Sequence, residues 1–203
     1  MPPDSPASER NKRPILEVLR MEFGDARHVL EIGSGTGQHA VFFAQEIPHL
    51  TWQPSDLPEN RDAIRGRLDK NAPANVKPPL ELDVEHCEPP ANGFDAVFSA
   101  NTAHIMGIRA VQRMFALVGR VLPAGGKFCL YGPFNFEGEF SSESNARFDA
   151  SLRQRKPTMG IRDLSDLDQF AGEAGLTRVR LYAMPAMNYI AVWQKNGFRQ
   201  PST

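Results

Sequence analysis

His28-Val29-Leu30-Glu31-Ile32 is a short, mostly apolar run that breaks at once into Gly33-Ser34-Gly35-Thr36-Gly37, and the stretch from Gln38 to Ala44 behind it has the character of a helix. Glycines at alternate positions let the backbone turn through positive φ and leave no Cβ in the way of a ligand. A helix that starts at the end of such a turn offers unpaired N–H groups and a partial positive charge at its mouth. A strand, a bare turn and a helix in that order predict a parallel βαβ unit, with a nucleotide-type pocket at the carboxyl end of its first strand.

The spacing narrows the ligand. A dinucleotide fingerprint needs G-x-G-x-x-G, whose third glycine packs helix on strand. Here the position three beyond Gly35 is Gln38, and the third glycine is Gly37. The pattern E-x-G-x-G-x-G at Glu31, Gly33, Gly35 and Gly37 instead resembles the first motif of class I S-adenosylmethionine-dependent methyltransferases. In that family the turn approaches the amino-acid part of the cofactor. A dinucleotide-binding dehydrogenase and a glycine turn without any ligand stay open as alternatives.

The 203 residues (22.6 kDa) suffice for one domain with a good-sized core, and 41% hydrophobic with 23% charged residues is ordinary for a globular protein. A net charge of −1, a pI near 6.5 and the lack of a long basic run argue against a nucleic-acid partner. Cys87 and Cys129 make neither a disulfide framework nor a zinc site, so no metal is expected. Cys129, amid apolar neighbours, reads as a small buried hydrophobe. The opening residues lack a signal-peptide pattern, and no apolar run approaches the ~20 residues that span a bilayer. The expectation is a cytoplasmic enzyme with no membrane partner; its oligomeric state is not legible.

Strand and helix patterns alternate throughout, which predicts an α/β three-layer sandwich on one parallel-type sheet. Residues 1–13 read as a polar arm, and Pro14 as the first turn of a helix that opens a single domain over 14–203. Strands are predicted at His28–Ile32, at Leu50–Gln53 closing on Asp56, near Leu80–Leu82, at Phe94–Ser99 behind an Asn92-Gly93 turn, and at Lys127–Tyr131. Helices are expected from Gly37 to Ile47 and from Pro58, which carries Ile64 and Leu68. The clearest helical period is Val111, Met114, Phe115, Val118 and Leu122. A connection from about 132 to 162, with a helix near Asn145–Arg155, is too long for a plain loop and too aromatic for disorder; it reads as a cap over the site. Ser165 with Asp168 resembles a capping box for a helix ending at Gly175. The strands Arg178–Ala183 and Tyr189–Trp193 are joined by a link too short for a helical crossover, so the last of seven strands is expected to be antiparallel.

Each strand end offers a group. Asp56, about twenty residues after the turn, can accept both ribose hydroxyls; alternatively it caps the Pro58 helix. Asp83 can accept the adenine amine with Val84 beside the ring, or it simply closes a loop. Glu31 in an apolar strand needs hydrogen-bond partners, and a structural role beneath the turn is expected. Asn101 can reach cofactor or acceptor, or serve as a turn residue.

The strings LEIGSGTGQHAVFFA, LTWQPSD, FSANTAHIM, LYGPFNFEGEFSSESNARFDASLR and MGIRDLSDL, with SPASERNKRPIL in front, are similar to the domain-of-unknown-function family numbered 938, whose members are methyltransferase-like. The resemblance covers about Ser5 to Trp193. It implies a class I methyltransferase fold, with S-adenosylmethionine held by Glu31, Gly33, Gly35, Gly37, Asp56, Asp83 and Asn101, and it supplies no acceptor. Met187 stands where the family pattern leads one to expect an asparagine, which bears on acceptor choice if that side chain touches substrate.

Methyl transfer needs alignment above all, and a base for some acceptors. His104 is the candidate by position and intrinsic pKa; alternatively it packs or caps a helix. Tyr131, Asn135, Glu143 and Asn145 are candidates for orienting the acceptor, and Arg10 and Asn11 for closing over the cofactor carboxylate; alternatively each is simply solvated at the surface. Strand four ends in Asn101-Thr102-Ala103-His104, without the Asn-Pro-Pro-Tyr common in methyltransferases of bases and amides, and in this the chain resembles small-molecule methyltransferases more. A cofactor-binding sensor or scaffold without turnover and a NAD(P)-dependent oxidoreductase remain the alternatives.

Overall fold

The structure, a computed structural model, describes residues 4–90 and 93–197. Met1–Pro3 of the expected arm, Asn92 of the expected turn and residues 198–203 lie outside the described residues. A seven-stranded sheet runs in the order β3 (Leu80–Glu81), β2 (Thr51–Asp56), β1 (His28–Ile32), β4 (Ala96–Ala100), β5 (Lys127–Gly132), β10 (Asn188–Lys195), β9 (Leu176–Met184). Every pairing from β3 to β5 is parallel, and β10 is antiparallel to both its neighbours. That order, with the last strand reversed between the fifth and sixth of the main sheet, is the class I methyltransferase fold.

The strands are apolar on both faces because both are covered. Their alternation sorts the core into two layers. Leu30, Ile32, Val97, Phe128, Leu130 and Trp193 pack with α4 (Ile108–Val121) and α6 (Leu164–Glu173). Val29, Phe98, Cys129, Tyr131, Ile190 and Val192 pack with α1 (Pro6–Glu22) and α2 (Gln38–Glu46). The periodic face read for the fourth helix is fully buried, from Val111 to Val118.

Four expectations need correction. The first helix begins at Pro6 under a Ser5 cap, so residues 6–13 of the expected arm are helical and Pro14 lies inside the helix. The Ser5 hydroxyl accepts from the Ser8 N–H and Pro6 sits in the first turn, a stronger start signal than Pro14. β2 continues through Pro54. Trp52 N donates outward to Asn75 O, and Pro54, two residues on, faces the same side at the gap before β3 begins, where no ladder donor is needed. The cap of α6 is Asp163, whose carboxylate accepts from Ser165 N, while Asp168 binds Arg178 and the Trp193 indole. The 132–162 connection carries a small sheet, β7 (Glu139–Phe140), β6 (Phe134–Phe136), β8 (Arg162–Asp163), and α5 (Glu143–Arg155). Between β2 and β3, a 3-10 turn at Pro58–Asn60 leads into α3 (Arg61–Asn71).

Candidate functional site

At the carboxyl ends of β1, β2 and β4 opens a cavity of about 820 Å³. Gly33, Ser34, Gly35, Asp56, Asp83, Val84, Asn101 and His104 line it, with Arg10 from α1 and Asn145 from α5.

The glycine turn builds the floor. Gly33, Gly35 and Gly37 have φ of +75, +59 and +74°, a region side chains seldom adopt. The three differ in what a Cβ would meet. At Gly33 it would lie 2.5 Å from Thr102 Cγ2, and at Gly37, which caps α2, 3.2 Å from Ile64 Cγ2. At Gly35 it would meet nothing within 4 Å, because that face is the cavity. Gly37 therefore serves helix packing and is off the cavity lining, a role that sequence spacing had tied to a different register.

Glu31 sits beneath the turn, off the lining and 2% exposed. Its Oε2 accepts from Ser34 Oγ (2.9 Å) and Trp52 Nε1 (3.0 Å). Burial pushes its pKa up to about 7, against the pull of those two donors. Asp56 ties the turn to the neighbouring strand. Its Oδ2 accepts from Gly35 N (2.6 Å), and its Oδ1 from Leu57 N and Asn60 Nδ2 (both 2.8 Å). A carboxylate oxygen accepts about two hydrogen bonds, so Oδ2 keeps one lone pair for a ligand hydroxyl. Helix capping through a backbone N–H of the Pro58 turn is absent here; Asp56 instead holds the Asn60 side chain.

Asp83 accepts from Glu85 N (2.9 Å) and His86 Nδ1 (2.8 Å), so the loop-closing role read as its alternative is present alongside its place on the lining. The His86 hydrogen bond holds the Asp83 pKa below its usual value. Asn101 adopts φ +59° and its N–H donates to Tyr131 O, which aims the residue into the cavity. His104 precedes α4, whose cap is Gly107, so it does not open that helix. It is 7% exposed and its ring meets Phe148 edge-on at 5.3 Å. Burial, helped by Arg162 and Arg155, lowers its pKa to about 4. The imidazole is thus neutral throughout the physiological range and a weak proton acceptor.

Besides Glu31 and Gly37, four of the predicted site residues are placed off the lining. Tyr131 is off the lining because strand alternation sends it, with Cys129, to the α1 face, where it is hydrogen-bonded to Asn11. Asn11 is buried at that contact and its Oδ1 accepts from His39 Nε2 (2.8 Å); it braces α1 on α2 and does not reach the cavity. Asn135 is 8% exposed and off the lining, its Oδ1 without a partner among the described residues. Glu143, in the first turn of α5, points into solvent beside Arg147. Met187 is off the lining as well. Its φ of +54° is one that asparagine tolerates better than most residues, so the departure noted there concerns backbone conformation.

Sequence reading missed Phe148, Asn188 and the start of α1, all of which line the cavity. Ser5 and Ser8 reach it because the chain before Arg10 is clamped over α2 and α3: Ser5 N donates to Gln38 Oε1 (2.9 Å), and Asp4 pairs with Arg67 (2.9 Å). The S-P-x-S start of a helix was the available signal. Among the described residues no helix is long and apolar enough to cross a membrane, and no cluster of His, Cys, Asp and Glu could hold a metal ion.

A family model described as "Protein of unknown function (DUF938)" matches residues 3–195. Among solved structures, the chain superposes with a TM-score of 0.77 and 20% identity on the S-adenosylmethionine-dependent methyltransferase SibL in its apo form, covering 94% of this chain and 56% of that one. An O-methyltransferase family protein from Burkholderia thailandensis gives 0.79 at 18% identity, over 95% and 58%. Human N-acetylserotonin methyltransferase in complex with SAM gives 0.79 at 14% identity, over 94% and 53%. The chain spans little more than half the length of each. At such identities the likeness establishes a common fold.

Proposed function

The chain belongs to the DUF938 family of proteins of unknown function, and from that footing we propose that it is an S-adenosylmethionine-dependent methyltransferase acting on a small molecule. The observation that carries the reading is the pairing of Gly35 with Asp56. A turn position with open space where a Cβ would stand lies hydrogen-bonded to a carboxylate that keeps one lone pair for a sugar hydroxyl.

The residues present fit such a cofactor. The bare main chain of Gly33 to Gly35 would take its amino-acid part, Asp56 its ribose, Val84 and Asp83 its adenine, and Arg10 its carboxylate. When bound, it supplies an electrophilic methyl carbon: the acceptor's lone pair forms the new bond as the carbon–sulfur bond breaks, the electron pair stays with sulfur, and the acceptor's proton leaves to water. Asn101 and His104, on the turn after β4, face the same cavity and are positioned to orient the acceptor. With a pKa near 4, His104 is suited to accepting a hydrogen bond from an acceptor O–H or N–H. It is poorly matched to removing the proton outright, since efficient bases titrate near the working pH.

Calorimetry with S-adenosylmethionine, S-adenosylhomocysteine and NAD tests the reading. Wild type is expected to bind the first two and not NAD. Asp56→Ala is expected to weaken S-adenosylmethionine at least tenfold, about 1.4 kcal/mol. Unchanged affinity removes the ribose assignment, and binding of NAD alone overturns the proposed function.

A further inference from the structure

One wall of the cavity is built from side-chain amides whose donors are already spent. Asn145 Nδ2 donates to Ser141 Oγ (2.8 Å) and to the Met187 carbonyl (3.1 Å). A carbonyl can only accept, so the amide nitrogen must face Met187, and Oδ1 is the atom left for the cavity. Asn188 repeats the arrangement: its Nδ2 donates to the carbonyls of Pro185 and Ala186 (both 3.2 Å), again leaving the oxygen. Both residues line the cavity.

The turn that delivers Asn188 is held under strain. Ala186 and Met187 are consecutive non-glycine residues at φ +59 and +54°, conformations that persist only where the surroundings impose them. The Asn145 amide on the Met187 carbonyl is one such constraint, and it joins the β9–β10 turn to α5. Phe148 lies one turn beyond Asn145 on the same face of α5 and is 38% exposed, an apolar ring open to the cavity beside His104. The ring nitrogens of His104 have no partner among the described residues. Of the nearby cations, Arg162 lies off the lining with its Nε and one terminal nitrogen engaged by the carbonyls of Ala103, Met106 and Thr158, while Arg10, Arg155 and Lys156 are all exposed. An anionic ligand at this wall would therefore face amide oxygens with no buried cation on the lining.

We propose that Asn145 and Asn188, beside the His104 and Phe148 rings, form the acceptor subsite, and that it takes an uncharged molecule presenting two hydrogen-bond donors, hydroxyl or amine, from a flat apolar frame. Its being the methyl acceptor rests on the transferase reading; its binding does not.

The test is calorimetry on the full chain, without cofactor and with S-adenosylhomocysteine, using three probes on one frame: naphthalene-2,3-diol, 2,3-dimethoxynaphthalene and naphthalene-2-carboxylate. The diol is expected to bind at least tenfold tighter than the other two. Asn188→Ala and Asn145→Ser are each expected to weaken the diol at least fivefold without moving the dimethyl ether. Glu143→Ala, on the solvent side of α5, is expected to match wild type. Equal affinity for diol and ether, preference for the carboxylate, or diol binding indifferent to Asn188 overturns the subsite. Failure of S-adenosylmethionine to bind, with the Asn188-dependent diol preference intact, supports the subsite and brings down the transferase reading instead.

Discussion

Replacing Arg162 with methionine is expected to lower stability by about 3 kcal/mol and to loosen the cavity it supports. Arg162 is 8% exposed, and its guanidinium donates to the carbonyls of Ala103 (3.0 Å), Thr158 (2.8 Å) and Met106. One side chain thereby joins the turn carrying Asn101 and His104 to the strand that closes the small sheet, where Arg162 pairs with Phe134. Methionine matches much of the volume but orphans three carbonyls. Each buried acceptor left unsatisfied costs on the order of 1–3 kcal/mol, and relief of the buried charge offsets part of the sum. For a chain of this size that corresponds to a fall in Tm of roughly 6–12 °C. Arg162→Lys is not expected to rescue it, since an ammonium cannot reproduce the planar fork that reaches carbonyls on two sides. Urea denaturation measures the difference, and a change under about 0.5 kcal/mol, the usual range for a surface position, would show that the three contacts do not bear on stability.

Arg162 also marks where sequence reading stops. Its partners lie 4, 56 and 59 residues away and are all main-chain carbonyls, which leave no trace in residue type. Features written into local chemistry were legible. The glycine turn, the acidic end of β2, the amphipathic α4 and the short β9–β10 link each follow from positive φ, strand punctuation, a 3.6-residue period or chain length. The errors came where a local rule had two places to act. Pro14 and Pro6 both suit a first helical turn, and the Ser5 hydroxyl decides for the earlier one. Ser165 and Asp163 are both capping residues, and the Asp163 carboxylate takes the Ser165 N–H. For Tyr131 the parity was visible, since it alternates with Leu130 and shares a face with Cys129. Which face opens onto the cavity depends on where α1 packs, and that is a tertiary fact. Asn188 escaped notice because an asparagine just after a proline-led turn looks like turn chemistry, and its amide oxygen acquires meaning through Asn145 on another element.

The dependence of stability on pH is expected to be steep on the acid side and to carry an opposing contribution from beneath the glycine turn. His39 and His104 are both lowered from 6.5 to about 4, chiefly by burial. A depressed pKa means that the unfolded chain takes up the proton first, so this stability is present above pH 6.5 and is lost as pH falls through 4, at about 3 kcal/mol for each ring. Glu31 has the opposite sign. Raised from 4.5 to about 7, it favours the fold while protonated, so its contribution is whole below pH 4.5 and is lost as pH rises through 7, again about 3 kcal/mol. Between pH 6.5 and 4.5 the two histidines outweigh the one carboxyl, and net stability falls on acidification. Urea midpoints taken from pH 4 to 8 separate the contributions. Glu31→Gln keeps an oxygen for Trp52 Nε1 and Ser34 Oγ but cannot ionise, so its advantage over wild type should be greater at pH 8 than at pH 4.5. His39→Gln and His104→Gln should each flatten the acid limb. Curves for Glu31→Gln and wild type that run parallel across this range would mean that the Glu31 carboxyl titrates as it does in water, and the buried anchor under Gly33 to Gly37 would then have to be open to solvent.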